Sequence, residues 1–233
     1  MASGLIGFVL NERYEITGQL GTGGMGIVLQ AHDRLLDREV AVKLIRPEHA
    51  LAPAALDAFL REARMIARLE HPNILAVHDL GAVTSESKGL PFLVMQLAKG
   101  GSLADRLKTG PLPLPEVQRI VTAVCGALDY AHRRGVVHLD VKPLNIFFDE
   151  HHNPLIGDFG LAKLLENAMK VKADTRAGTL AYMAPEQLFG SQAGPFTDVY
   201  ALGITVYEML TRALPRRSWD GAVQFEGRCR MRC

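Results

Sequence analysis

The sequence predicts an α+β protein in two parts, a small antiparallel β-sheet lobe carrying one helix and then a mostly helical lobe. Three observations carry this. Alternating β-branched and polar residues around glycine turns fill the first 50 residues. An apolar stripe at helical spacing follows Pro53, and beyond Gly100-Gly101 the apolar period is again that of helices. With 233 residues, 48% of them hydrophobic, the chain has material for one large core or two small ones.

Taken in order, Tyr14 to Leu20, Gly26 to Ala31 and Arg38 to Ile45 read as three antiparallel strands. Leu56, Phe59, Leu60, Ala63, Ile66 and Ala67 then trace an amphipathic helix ended by His71-Pro72, with Glu62 at the border of its stripe. Two further strands are expected over Ala76 to Leu80 and Pro91 to Leu97, with a lobe boundary near residue 98. Pro111 to Pro115 reads as a stiff connector, and Val117, Ile120, Val121, Val124, Leu128 and Ala131 line one helix face stopped by Gly135. The stretch Asp198 to Leu210 is apolar nearly all round, which predicts a helix buried on most sides. The domains expected are 10–98, 99–215 and a basic tail over 216–233.

Composition excludes several classes. A formal net charge of +1 argues against nucleic acid or an anionic membrane as the main partner. Cys125, Cys229 and Cys233 are too few for a disulfide framework, which points to a reducing, cytoplasmic setting. The run Leu5 to Leu10 lacks a signal peptide's charged region and cleavage site and is expected to pack on the fold, and no apolar stretch is long enough for a membrane segment.

The chemistry sits in ordered motifs. Leu20-Gly21-Thr22-Gly23-Gly24-Met25-Gly26-Ile27-Val28 contains G-x-G-x-x-G, whose bare glycines let backbone N–H groups approach a polyphosphate. Strands on both sides favour a phosphate-covering hairpin over a dinucleotide fingerprint, and a plain glycine-rich turn is the bland alternative. Lys43 ends Val40-Ala41-Val42-Lys43 on an apolar strand, so its ammonium needs an anion or an exposed edge; Glu62 is the partner on offer. His138, Asp140, Lys142 and Asn145 share one loop, Asp158-Phe159-Gly160 follows, and Ala184-Pro185-Glu186 closes the series.

This ordered set resembles the protein kinase family, in its bacterial serine/threonine branch, from about Tyr14 to about Pro215. The resemblance implies a two-lobed kinase fold and transfer of the ATP γ-phosphate to Ser or Thr hydroxyls of protein substrates, with Mg²⁺ or Mn²⁺. By it, Asp140 orients the attacking hydroxyl, Lys142 touches the γ-phosphate, and Asn145 and Asp158 hold the metal. Lys43 and Glu62 pair to hold the α and β phosphates, and Thr179 bridges to Asp140 and Lys142. Leu20, Gly21, Gly23, Gly26 and Val28 cover the nucleotide, and adenine is expected against Val28, Ala41 and Phe147, with the backbone of Gln96 and Ala98. Those apolar side chains are equally consistent with core. His138 and Phe159 are expected to stack.

The sequence also departs from the family. Leu139 replaces the arginine that in relatives binds an activation-loop phosphate, so Thr175, the candidate phosphosite, is expected not to act through that contact. After Pro215 the expected C-terminal helices are missing, the tail reads as a shifted frame, and Glu186 is left without its arginine. The catalytic lobe is therefore expected to be incomplete. The alternative function is a catalytically weak or inactive kinase-like scaffold binding nucleotide or protein. Small-molecule phosphotransfer is disfavoured by Lys142, Thr179 and Ala184-Pro185-Glu186 together.

Overall fold

The computed structural model describes residues 5–23, 26–45, 60–61, 63–83, 90–159, 180–190, 192–217 and 223–224. Glu62, Thr175, Thr179 and Gly160, the start of the first expected helix and most of the basic tail lie outside these residues. The contacts divide the chain into two units. One holds the described residues within 1–70 and 75–99, the other those within 71–74, 100–160 and 176–233.

The first unit is built on a six-stranded antiparallel sheet: β1 (Val9–Leu10), β2 (Tyr14–Gly23), β3 (Gly26–Asp33), β4 (Arg38–Ile45), β5 (Val77–Val83) and β6 (Leu90–Gln96), in the order β1-β2-β3-β4-β6-β5. The two-residue β1 is too short to leave an alternation in the sequence; it pairs Val9 with Glu15 and Leu10 with Tyr14. Residues 60–61 and 63–66 are helical, as the apolar stripe predicts.

Side-chain alternation sorts this sheet into two faces. Leu29 stands opposite Val42, Ala31 opposite Val40, and Val42 opposite Val94. These residues, with Leu10, Tyr14, Ile16 and Phe92, form the buried cluster of the unit. Burial of each large member stabilises the unit by about 1.5–3 kcal/mol. The other parity puts Val28 opposite Lys43 and Ala41 opposite Met95, so Val28, Ala41 and Lys43 share the opposite face. At the sheet's far end, the Arg13 guanidinium donates to Asp33 at 2.7 and 2.8 Å, and the Tyr14 hydroxyl donates to Asp79 at 2.6 Å. The Arg13 contact holds the fully buried Asp33 carboxyl at about 2, below its usual range.

The second unit contains α1 (Leu103–Leu107), α2 (Leu114–His132), a 3₁₀ turn (Pro143–Asn145), the hairpin β7 (Ile146–Phe148) and β8 (Pro154–Ile156), α3 (Pro185–Phe189), α4 (Pro195–Thr211), and the short pair β9 (Arg216–Arg217) and β10 (Val223–Gln224). Ser102 caps α1: its hydroxyl accepts from the Asp105 N–H, and Asp105 accepts from the Ser102 N–H in return. The expected proline connector is shorter than read. Pro113 is the N-cap of α2 and Pro115 lies in its first turn, where a missing N–H costs no helical bond. Val117, Ile120, Val124, Ala127, Leu128 and Ala131 are the buried face of α2, which packs on α4 and β8. Val121 is only half-buried.

Asp198, Ala201, Leu202, Ile204, Thr205 and Met209 of α4 are buried, as the apolar run predicts, while Val199 is 65% exposed. Glu186, expected to lack a partner with its arginine missing, is a correction. It is half-buried and accepts from the Thr197 hydroxyl at 2.7 Å. Among the described residues, no helix is long and apolar enough to cross a membrane.

Candidate active site

In the second unit, the chain leaves α2 through Gly135, whose φ of +76° suits glycine, and Val136 turns back to bond the Ala131 carbonyl at 3.0 Å. His138 is then fully buried. Its Nε2–H donates to the Gly157 carbonyl at 2.9 Å and its Nδ1 accepts from the Asp140 N–H at 3.3 Å, a pattern that one neutral tautomer satisfies. Its ring centroid lies 4.5 Å from that of the buried Phe159 with the planes tilted at 40°, so the two rings are in contact, as expected, but not stacked in parallel.

Leu139 adopts a left-handed backbone, φ +65°, which costs a side-chain-bearing residue about 1–3 kcal/mol and needs support. Asp198 supplies it. This fully buried carboxylate accepts from the Leu139 N–H at 2.7 Å through Oδ1. Through Oδ2 it accepts from the His138 N–H at 2.8 Å and bonds His132 Nε2 at 2.7 Å.

The Asp140 carboxylate is fixed next. Lys142 Nζ donates to its Oδ2 at 2.8 Å, and Asn145 Nδ2 donates to the same oxygen at 2.9 Å and to the Asp140 carbonyl at 2.8 Å. Among the described residues no hydrogen bond is made to Oδ1. The Asp140 and Lys142 side chains are each 13% exposed, so their charges are little screened by water. Asn145 is buried at the start of the β7–β8 hairpin, where Ile146 pairs with Ile156. That pairing brings the two strand ends together, and the Gly157 N–H donates to the Asn145 carbonyl at 3.0 Å. Asp158 follows with a φ of +59°.

These residues suit a divalent metal. The Asn145 amide nitrogen is committed to Asp140, which leaves its Oδ1 as the remaining polar atom; that oxygen and the Asp158 carboxylate are of the hard type that Mg²⁺ prefers. Phe147, half-buried, pairs with Leu155 and bridges to Ser102.

In the first unit, β2 and β3 pair antiparallel on either side of positions 24 and 25, with Gly23 opposite Gly26. Strands on both sides are the context expected from sequence. Gly26 is required for packing, because a Cβ there would sit 1.8 Å from the Leu44 carbonyl oxygen. At Gly21 and Gly23 a Cβ would meet nothing within 4 Å, so packing does not demand glycine there. Leu20 is 48% exposed, while Ala41 is buried and Val28 half-buried. Lys43 is 7% exposed on a central strand flanked by β3 and β6, which rules out the exposed edge lysine. The Gln96 N–H donates to the Ala76 carbonyl at 2.9 Å, and Ala98 is half-buried just beyond β6.

Two residues of the site escaped sequence reasoning. The sequence marks Asp198 only as the start of an apolar helix, although a lone acid in such a stretch signals a buried carboxylate in need of donors. Gln187 carried no signal at all, yet its Nε2 donates to the Leu139 carbonyl at 3.1 Å. Nearby, the Tyr182 hydroxyl donates to Glu208 of α4, and burial pushes both groups above their usual pKa values.

An antiparallel sheet with paired glycines and a buried lysine in one unit, and in the other an aspartate held by Lys142 and Asn145, are the features of a kinase-type fold. The chain belongs to the protein kinase domain family, which matches residues 14–231. The match runs past Pro215, where the sequence reading ended the resemblance. The chain is 39% identical over 208 residues to serine/threonine-protein kinase PknB of Mycobacterium leprae (strain TN), covering 88% of this chain and 33% of that protein. It is 37% identical over 212 residues to PrkC of Bacillus subtilis (strain 168), covering 91% and 32%. The crystal structure of the Mycobacterium tuberculosis PknI kinase domain superposes with a TM-score of 0.73 at 31% identity, over 91% of this chain and 79% of that one. The fold is therefore that of protein kinases, and these relatives are bacterial, as the sequence led us to expect. The chain spans about a third of the length of the two curated relatives.

Proposed function

We propose that this chain is an ATP-dependent serine/threonine protein kinase domain that phosphorylates Ser or Thr hydroxyls of protein substrates. The observation that carries the reading is the Asp140 carboxylate, held through Oδ2 by Lys142 at 2.8 Å and Asn145 at 2.9 Å. With Oδ2 occupied, Oδ1 is the oxygen that receives a substrate hydroxyl.

In this reading Asp140 orients the hydroxyl and accepts its proton as the oxygen bonds to the γ-phosphorus and the bond from phosphorus to the ADP oxygen breaks. Lys142 offers its positive charge to the γ-phosphoryl oxygens as well as to Asp140. Asn145 and Asp158 would hold Mg²⁺ or Mn²⁺, which when bound neutralises charge on the phosphates. Lys43, paired with Glu62, steadies the α and β phosphates, and the backbone of Leu20, Gly21, Gly23 and Gly26 covers them. Val28, Ala41 and Phe147 contact adenine, with hydrogen bonds from the Gln96 and Ala98 backbone. Since the Gln96 N–H already serves Ala76, its carbonyl is the group assigned to adenine. Thr179 links Asp140 and Lys142 to the substrate side. The domain limits we assign are 10–98 for nucleotide binding and 99–215 for catalysis. The reaction is placed in the cytoplasm, which supplies ATP and keeps thiols such as the free Cys125 reduced.

The test is purified chain with Mg²⁺, γ-labelled ATP and a generic basic protein, beside an Asp140→Asn variant. Phosphoserine or phosphothreonine that disappears with Asp140→Asn supports the enzyme. Thermal stabilisation by nucleotide with no phosphorylation would instead establish the scaffold; ligand at 100 times its Kd adds about 2.7 kcal/mol.

A further inference from the structure

We propose that Gln187 is a positioning residue for Asp140, tying the 180–190 segment to the catalytic loop through the Leu139 carbonyl. The inference rests on the kinase reading above and concerns how that site is held in register.

Gln187 sits in the third position of the short helix α3, and its side chain faces two ways. Its Oε1 accepts from the Ala184 N–H at 3.0 Å, and its Nε2 donates to the Leu139 carbonyl at 3.1 Å. Only one amide orientation satisfies both, since the reverse would set oxygen against oxygen and N–H against N–H. The Leu139 carbonyl belongs to the peptide plane whose N–H is that of Asp140. That N–H is held by His138 Nδ1 at 3.3 Å, so the plane is gripped at both ends, by Gln187 and by His138. With the Leu139 N–H anchored on Asp198 at 2.7 Å, rotation about the left-handed Leu139 breaks one of these bonds. Such a rotation would swing the Asp140 side chain off its two donors.

This bridge has a particular meaning in this chain. Leu139 has no cation with which to answer a phosphate, so a phosphate–guanidinium contact cannot join loop and segment at this position. The Gln187 bond uses backbone instead, and it forms without any modification. Gln187 touches neither the Asp140 carboxylate nor a reacting atom; its effect passes through the peptide.

Gln187→Glu tests this. The carboxylate keeps an acceptor for the Ala184 N–H and the same size, but it faces the Leu139 carbonyl with an oxygen in place of a donor. We expect kcat for Asp140-dependent phosphorylation to fall about tenfold with the KM for ATP unchanged. Amide hydrogen exchange over 138–142 should accelerate while nucleotide-unit amides keep their rates. Gln187→Ala, which loses both bonds, should lower kcat at least as much. The proposal is overturned if Gln187→Glu keeps kcat within about twofold and exchange unaltered. It is equally overturned if kcat falls only in step with global unfolding and a raised KM for ATP. If wild type and Asp140→Asn are both inactive, the kinase reading fails separately. The exchange comparison then still decides the bridge: accelerated exchange in Gln187→Glu supports it as a loop clamp, and unaltered exchange removes it.

Discussion

Replacing Asp198 by Asn changes one atom and leaves the volume of the side chain almost untouched. The wild-type carboxylate takes three hydrogen bonds on two oxygens: His138 N–H and His132 on Oδ2, Leu139 N–H on Oδ1. An asparagine has one oxygen. Setting it at the Oδ2 position keeps two bonds and turns the NH₂ against the Leu139 N–H; the reverse loses more. One charge-assisted bond is therefore lost, about 1.5–3 kcal/mol, at a side chain that is fully buried. For a chain of this size each kcal/mol moves Tm by about 2–4 °C, so Asp198→Asn should melt roughly 3–12 °C lower. The support for Leu139 in its left-handed state goes with the bond, and kcat should fall at least about tenfold as Asp140 loses its aim. Differential scanning calorimetry and steady-state phosphorylation measure both. A variant melting within about 1 °C of wild type with kcat within about twofold would refute the clamp.

Other outcomes follow from features already described. Gly26→Ala should destabilise the sheet unit by about 1–3 kcal/mol, since its Cβ lands 1.8 Å from the Leu44 carbonyl oxygen, while Gly23→Ala should fold normally and weaken ATP binding, which calorimetry and nucleotide titration distinguish. Asp33 has a folded pKa of about 2, depressed by Arg13, so its contribution is fully present above the unfolded value near 4 and is lost as pH falls toward 2. Asp33→Asn should accordingly lose stability at neutral pH and show a flatter acid limb in pH-dependent melting. Thr175→Ala should leave basal kcat within about twofold of wild type, because Leu139 cannot pair with a phosphate; a tenfold drop would reverse that conclusion.

The residues that sequence reading handled well are those whose signal is local. Strand parity in Val40-Ala41-Val42-Lys43, the 3.6-residue period of α2 and the spacing of Asp140, Lys142 and Asn145 need only a few neighbours to interpret, and Asp140, Lys142 and Asn145 do come together around one carboxylate oxygen. What was missed depends on partners far along the chain. Asp198 meets Leu139 across 59 positions and Gln187 across 48, and no periodicity announces either. Glu186 differs: its partner is a hydroxyl only 11 positions on, at the start of the following helix, and a missing arginine says nothing of a hydroxyl that takes its place. The exposure of Val199 likewise depends on which neighbours reach α4, which its own apolar run does not encode. Pro113 and Pro115 mark a helix start only once the next turn is seen to continue.

The alternation of β4 has a genetic consequence. Val40 and Val42 point into the core while Ala41 and Lys43 point the other way, and both assignments hang on the same register with β3 and β6. Inserting or deleting a single codon within this strand would invert both sets at once, sending the lysine into the apolar cluster and valines onto the opposite face. Point substitutions damage one face at a time. Length changes should therefore be purged from Arg38–Ile45 far more strictly than residue changes, and tolerated instead in the exposed turn at Leu35 and Leu36, where no ladder counts residues.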